Sequence, residues 1–284
     1  MKRNSPKYLS RFYVGLLFLV LYWQQSAFAT SGMVKGDCGK PLPETDLRHC
    51  SFSGKAFENL NLQGAMLDGV DFTNAKIPGC NLSSASLIKA DMRWAILTDC
   101  NMTGADMAEA DLFHTTFDGS RLDNGRFHKA NMFGANLNEV IGKKVNFSSA
   151  YMKDIAMEES VLEGSDFTHC FMQRAVLIGS KLSNTHFGWT VLTGGALEET
   201  DFTDANLEHA LLNGARLDNA TFIGANLDQA RFTNAVLVGT NFNRAKKIPE
   251  HLKEMLKTEK LIYRVLGYEK NIIFNSDVVI FTDS

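Results

Sequence analysis

The sequence predicts an all-β solenoid built from very short coils, and three observations predict it. The first is a step of five: Leu, Phe, Met or Ile stands at 39 of 40 positions ending in 2 or 7 from Leu47 to Phe242. A helix would repeat near 3.6 residues and a half-buried strand at 2. The second lies two residues earlier. There, from Thr45 to Thr240, a small residue (Ala, Ser, Thr, Gly, Cys or Val) fills 37 of 40 places, the exceptions being Lys55, Leu60 and Ile155. The third is polarity. The three places between are mostly polar, and Asp or Asn often precedes the large residue, as in Asp91, Asn101, Asp106 and Asp111. One large and one small side chain per five residues therefore point inward, so five residues make one wall and one turn. A repeat this short cannot bury its own apolar face and must stack on copies of itself.

The copies "ADLFH" 110–114, "ANLNE" 135–139, "ANLEH" 205–209, "ANLDQ" 225–229 and "TNFNR" 240–244 resemble the pentapeptide-repeat family, whose signature is A-(D/N)-L-x-x. The resemblance covers residues 45–244, about 70% of the chain. It implies a right-handed quadrilateral β-helix with four pentapeptides per coil. Forty repeats then make about ten coils, and at the inter-strand spacing of ~4.8 Å a rod about 48 Å long. The expected organisation is a leader at 1–29, an N-terminal cap at 30–44, the β-helix at 45–244 and a C-terminal helix and short-strand cap at 245–284.

Residues 1–29 read as a secretory signal peptide. Lys2, Arg3, Lys7 and Arg11 form a basic start, "FYVGLLFLVLYW" 12–23 is an apolar run, and "AFA" 27–29 is a small-x-small cleavage site. As a helix, the apolar run spans only ~18 Å against a bilayer core of ~30 Å, so no stable membrane span is expected after cleavage. The expected location is exported, periplasmic or secreted; an uncleaved anchor is the alternative. Without 1–29 the chain carries 25 basic and 32 acidic residues, net −7. That opposes binding to a nucleic-acid backbone.

In the cap, "CGKPLPETDLRHC" offers Cys38 and Cys50. A disulfide there would contribute roughly 3 kcal/mol in an oxidising compartment. The alternative is two buried thiols, since Cys50 occupies a small inward place. Cys80 and Cys100, twenty apart, stack on one inner wall, and Cys170 faces the opposite wall; all three read as small core residues.

Within the rod, "VIGKK" 140–144 puts Gly142 at a centre. We expect a locally bulged wall there, with Ile141 or Val140 filling the gap. Past the rod, "IPEHLKEMLKTEKLIYRVLG" 248–267 reads as a helix, with Pro249 in its first turn and Leu252, Met255 and Leu256 on one face. "NIIFNSDVVIF" 271–281 reads as two short strands around Asn275–Asp277. These segments cover an open solenoid end, and the apolar strands offer a dimerisation element as the alternative.

No catalytic signature, phosphate loop, dinucleotide fingerprint or zinc spacing occurs, so no enzyme activity, cofactor or metal site is expected. Folded into columns twenty residues apart, the outer surface shows one feature. Ser51, Asp71, Asp91, Asp111, Asn131, Tyr151, Phe171, Val191, Leu211 and Arg231 share a column that is acidic first and apolar later. His169, Trp189 and His209 stand beside its apolar half. Tyr151, Phe171, Val191, Leu211, Trp189, His169 and His209 would form a contiguous outward patch, the mark of a protein contact. The Asp71–Asp91–Asp111 ladder reads as local backbone capping, as the family resemblance implies, or as a cation site.

The expected function is an exported, non-enzymatic rod for protein binding or scaffolding. Its partner is an unknown protein, or a second copy of the chain through the stripe or the tail, and not a nucleic acid. The alternatives are an acidic DNA-mimic rod acting on a topoisomerase such as gyrase, a role the family resemblance brings, and a host-directed bacterial effector. The export reading has a direct check. N-terminal sequencing of the exported protein should begin at Thr30, and a mature chain starting at Met1 would overturn cleavage.

Overall fold

The computed structural model describes residues 32–265, 271–275 and 278–282. The signal-peptide reading of 1–29 lies outside them. The chain divides into two compact units, Met1–Lys35 and Gly36–Ser284, and the second holds everything below.

That unit is a right-handed, four-walled β-helix. Parallel bridges pair each residue before a centre with the residue twenty further on, from Asp46↔Met66 to Asn226↔Lys246. Four kinds of backbone bond make up the standard five-residue unit. The centre donates nineteen residues forward, as Leu47 N does to Met66 O at 2.9 Å. The residue before it donates back, as Met66 N does to Thr45 O at 3.0 Å. The second residue after the centre donates forward, as Gly64 N does to Ser83 O at 2.9 Å. The small residue closes a turn onto the preceding centre, as Ala65 N does onto Leu62 O at 3.1 Å. Of five N–H groups, only the one just after the centre has no backbone acceptor.

The turn has a conformational requirement. At every position ending in 4 or 9 from Gly54 to Arg244, φ is positive. This is the feature of a type II turn and a region L-residues avoid. Glycine meets it freely at Gly69, where an added Cβ would find open space but the wrong φ of +68°. Asn, Asp, Lys and Glu meet it at many others, and no Val, Ile or Thr stands at any of these places.

The core follows the two inward series. Among the centres from 62 to 242, every large side chain is fully buried. Phenylalanines on adjacent coils stack: Phe127, Phe147, Phe167 and Phe187 run up one wall with centroids 5.1, 4.9 and 4.7 Å apart. Each buried side chain of this kind contributes roughly 1.5–3 kcal/mol before ordering entropy is subtracted. Buried hydroxyls at small places donate to a centre carbonyl of the coil before, as Thr115 Oγ1 does to Met92 O at 2.7 Å and Thr200 Oγ1 to Leu177 O at 2.9 Å. A polar small residue thus stays satisfied inside.

Two departures show how tightly the coil is held. At Gly142 the wall does not bulge: Gly142 N donates to Val161 O at 2.8 Å and Ile141 stays bridged on both sides. The expected filling is also corrected. Ile141 points outward and Val140 occupies its ordinary small place; Val145 fills the gap, its Cγ2 2.7 Å from where a Cβ on Gly142 would sit. A Cβ there would also crowd Leu122, so the glycine is sterically required. Val145 N donates to Ser165 Oγ at 3.0 Å rather than closing the turn, as Cys100 and Ser160 do with serines of the next coil. At Ile155, too large for a small place, the closing bond stretches to 3.4 Å.

The ends are covered differently. At the start, Cys38 and Cys50 are joined as a disulfide, with Cα atoms 5.4 Å apart. Gly36 N donates to Asp46 O at 3.0 Å, and the backbone passes so close that a Cβ there would meet Leu47 and Thr45. Cys80 and Cys100 are also joined, Cα atoms 4.5 Å apart, which corrects their reading as unlinked small core residues. Parallel neighbours on one inner wall are near enough for the bond. At the far end the helix α1, Glu250–Val265, begins two residues later than its apolar pattern suggested, and the expected end at Gly267 lies outside the described residues. Leu252 and Leu256 are buried in the same core as Phe232 and Phe242, and Met255 packs against it. Strands β1, Asn271–Asn275, and β2, Val278–Thr282, pair antiparallel, Ile272 opposite Phe281.

Leu177→Asp places an unpaired carboxylate at a fully buried centre. It should destabilise the protein by roughly 3 kcal/mol or more. Glu199→Lys, on an exposed corner, should stay within about 0.5 kcal/mol. Urea unfolding of both variants checks the assignment of inward and outward places.

Candidate functional site

The wall whose centres run from 52 to 232 carries the unusual surface. The residues before its centres are bridged in one line, Asp71, Asp91, Asp111, Asn131, Tyr151, Phe171, Val191, Leu211 and Arg231. At the polar end the carboxylates hold the N–H that the coil leaves free. Asp71 Oδ1 accepts from Thr73 N at 2.8 Å, Asp91 Oδ1 from Arg93 N at 3.3 Å and Asp111 Oδ1 from Phe113 N at 3.3 Å. The same arrangement recurs on other walls, as at Asp166 with Thr168 N and Asp201 with Thr203 N. The Asp/Asn preference is therefore a side-chain cap on a fixed turn.

The mutual repulsion of the ladder is answered within the chain. The Arg93 guanidinium grips Asp91 through two bonds of 2.8 and 2.6 Å, and its Nε lies 3.6 Å from Asp111 Oδ2. Asn131 Nδ2 donates to Asp111 Oδ1 at 2.8 Å. These partners do for the carboxylates what a cation would do, and the ladder reads as structure. The Arg93 guanidinium holds the Asp91 carboxyl below the usual carboxylate range.

From Tyr151 to Leu211 the cap is missing. Among the described residues no acceptor meets the N–H of Lys153, Gln173, Thr193 or Asn213. Four consecutive coils give up the turn's own bond and place apolar side chains outward in its stead. Tyr151 is 41% exposed, and its ring stacks on Phe171 with centroids 5.5 Å apart. Trp189 is 56% exposed and lies between His169 and His209, at 6.3 and 3.8 Å. Phe171, Val191, Leu211 and His209 are half-buried and His169 is exposed. All seven residues expected in the patch thus share one wall and its corner.

The patch is longer than the sequence columns suggested. Phe133 stacks on Tyr151 at 6.1 Å and on Phe113 at 5.4 Å. Trp94, 54% exposed, stacks on His114 at 4.4 Å and meets Phe113 edge-on. The result is a diagonal aromatic stripe from Trp94 to Leu211 on one wall. Phe113 and Phe133 are twenty apart, as are Trp94 and His114, so the signal was present, but in columns on the other side of the centre line. Both tryptophans adopt positive φ, +61° and +62°. A bulky residue is uncommon there, although the conformation itself is the one the turn imposes on every coil.

At its C-terminal end the stripe meets α1. A cavity of about 490 Å³ lies at the junction, lined by Trp189, Leu211, Gln229, Arg231, Pro249 and His251 among others. His251 Nε2 accepts from Phe232 N at 3.1 Å, capping a donor that has no further coil to meet.

Two other groups are chemically quiet. His49 Nε2 lies 3.5 Å from Cys38 Sγ and 3.7 Å from Cys50 Sγ, but the sulfurs are bonded to each other and neither is a thiolate ligand. The Cys170 thiol donates to Phe147 O at 2.9 Å, and burial pushes its pKa up to about 12. Among the described residues no helix is long and apolar enough to cross a membrane.

A family model described as pentapeptide repeats matches in eight overlapping copies that together span residues 44–141 and 156–246. The stretch between contains Gly142 and Ile155, the two departures that the coil absorbs. Among solved structures the chain is similar to HetL, a pentapeptide repeat protein involved in heterocyst differentiation regulation from the cyanobacterium Nostoc sp. strain PCC 7120. That likeness has 24% identity and a TM-score of 0.27, over 68% of this chain and 87% of that one. QnrB1, a plasmid-mediated fluoroquinolone resistance protein, shares 12% identity over 72% of this chain and 97% of that one, TM-score 0.46. A pentapeptide repeat protein of the Arabidopsis thaliana thylakoid lumen shares 22% over 39% and 77%, TM-score 0.38. No curated protein matches the sequence.

Replacing Arg93 by Gln should release Asp91. Asp91 has a lower pKa folded than unfolded, so its pairing adds stability above the ordinary carboxylate pKa. That stability is lost as pH falls through the lowered value. The variant should therefore be less stable than the parent at neutral pH, with the gap closing in acid, and an NMR titration should show the Asp91 carboxyl protonating at higher pH.

Proposed function

The chain belongs to the pentapeptide-repeat family, and from that premise we propose that it is an exported, non-enzymatic rod that binds a protein partner along the aromatic stripe. The observation that carries this reading is the continuous run of outward aromatic side chains from Trp94 through Phe113, Phe133 and Tyr151 to Phe171, prolonged by Val191 and Leu211. Stability does not call for such a run, because these side chains face away from the core. Exposed, stacked aromatic groups are the usual anchors of a protein contact.

The rest of the surface supports a binding role over catalysis. Many carboxylates are engaged one by one as turn caps or ion pairs, such as Asp154 with Arg174 and Asp228 with Lys247. Export is supported by the leader-like sequence at 1–29 and by the cysteine pairs, since disulfides persist in oxidising compartments.

A second reading, an acidic rod that imitates DNA before a topoisomerase, has one observation in its favour. The wall with centres from 57 to 237 carries Asp99, Asp118, Glu139, Glu158, Glu159 and Glu199 on its outward side. Burial, with Glu139 nearby, raises the Asp118 pKa. Finding the mature protein in the cytoplasm would favour this reading; finding it outside would remove it.

The double substitution Phe171→Ser with Trp189→Ser should leave the fold intact, since neither residue is a core position. It should weaken partner capture or self-association by roughly 2 kcal/mol or more. Sedimentation and pull-down from the exported fraction decide it, and values equal to the parent's would make the stripe a tolerated surface.

A further inference from the structure

The aromatic stripe does not run off the end of the rod. It stops at the cavity of about 490 Å³ where the last coils meet α1. We propose that this cavity takes the C-terminal carboxylate and last apolar side chain of a partner polypeptide lying along the stripe. The proposal rests on the protein-binding reading above.

Three observations point to a chain end. The first is direction. Pro249 and His251, at the start of α1, stand across the path of the stripe beyond Leu211. The stripe therefore ends against the start of the helix, with Trp189 and Leu211 on one side of the cavity lining and Pro249 and His251 on the other. The second is the change of chemistry along one bridged column. Val191 and Leu211 are followed by Arg231. Arg231 is exposed, lines the cavity, and makes no ion pair among the described residues. A guanidinium fork fits a carboxylate with two parallel bonds and repels an amino terminus. The third is His251. Its Nε2 accepts the Phe232 N–H, which puts a ring proton on Nδ1, and the residue lines the cavity. Gln229 adds an amide.

The apolar part of the lining, Trp189, Leu211 and Pro249, suits a terminal Leu or Phe side chain, and the volume falls in the about 300–1,000 Å³ range of small-ligand sites. The acidic groups close by are engaged. Asp228 accepts from Lys247 Nζ at 2.7 Å, and Glu208 faces the same ammonium. Glu254 lines a separate hollow beyond His251. The positive Arg231 therefore sets the charge that a ligand meets.

The test uses the full chain, immobilised, and two pools of octapeptides that end in Leu or Phe and are degenerate elsewhere. One pool has a free terminal carboxylate and the other a terminal amide. The free-acid pool should be retained at least about tenfold better, the effect of one charge-assisted hydrogen-bonded pair. Arg231→Gln should erase that preference. Tyr151→Ser with Phe171→Ser, away from the cavity, should lower retention of both pools alike. Equal retention of the two pools, lowered by the stripe variant, overturns the chain-end proposal and leaves the stripe as a binding surface. Retention of an amidated pool carrying a penultimate Glu as strongly as the free acid assigns a side-chain carboxylate and also overturns it. No retention of either pool overturns it too, and the stripe is then judged by partner capture alone.

Discussion

The bond from each centre N–H to a carbonyl nineteen residues on is the constraint from which the rest of the molecule follows. It is repeated on every wall, from Leu47 to Leu227, and it sets twenty residues per coil without tolerance. A single inserted residue would move every later side chain from one column to the next and turn core centres outward. Forty repeats therefore keep register through Gly142 and Ile155, where the side chains do not suit their places. The coil absorbs each misfit and leaves the bridges intact. A parallel arrangement with this many equivalent bonds gives local faults no cheaper way out.

The same coil has two weak points per repeat, and the sequence answers both. One N–H is left without a backbone acceptor, and an Asp or Asn before the centre supplies one. One residue must take positive φ, and Gly, Asn and unbranched residues fill that place. The cap place lacks Asp or Asn on other walls too, as at Ile96, Val176 and Ala196; along the aromatic stripe that omission coincides with stacked outward aromatic side chains. Apolar groups replace the caps at Tyr151, Phe171, Val191 and Leu211, and Trp94 and Trp189 take the positive-φ corner. Departures from local consistency that do nothing for the core are where function is to be sought.

The two ends of the solenoid are treated unequally. The first coil is tied by Cys38–Cys50, and its inward series is loose there, with Lys55 exposed and Leu60 half-buried. The last coil is closed by the apolar face of α1, whose His251 also takes over a hydrogen bond that the absent next coil would have made. The cap thus does more than cover apolar surface. By standing against the end of the stripe it makes a cavity whose lining includes the exposed Arg231.

Which side chains face in and which face out was determined by the sequence alone, because facing in a coil is a local property of the backbone and repeats with it. The five-residue step, the stacked columns, the neighbourhood of Tyr151 to Leu211, and the helix and two strands after the rod are all of this kind. The tertiary structure decided what depends on reach across a corner or on docking. Val145 fills the space at Gly142 because its side chain reaches around a turn. Arg93 spans two carboxylates of the ladder, one of them on the next coil. Phe133 joins Tyr151 diagonally, from one side of a centre line to the other. The placement of α1 on the last coil, which makes the cavity at Arg231, is a packing outcome between segments whose sequences carry no shared period.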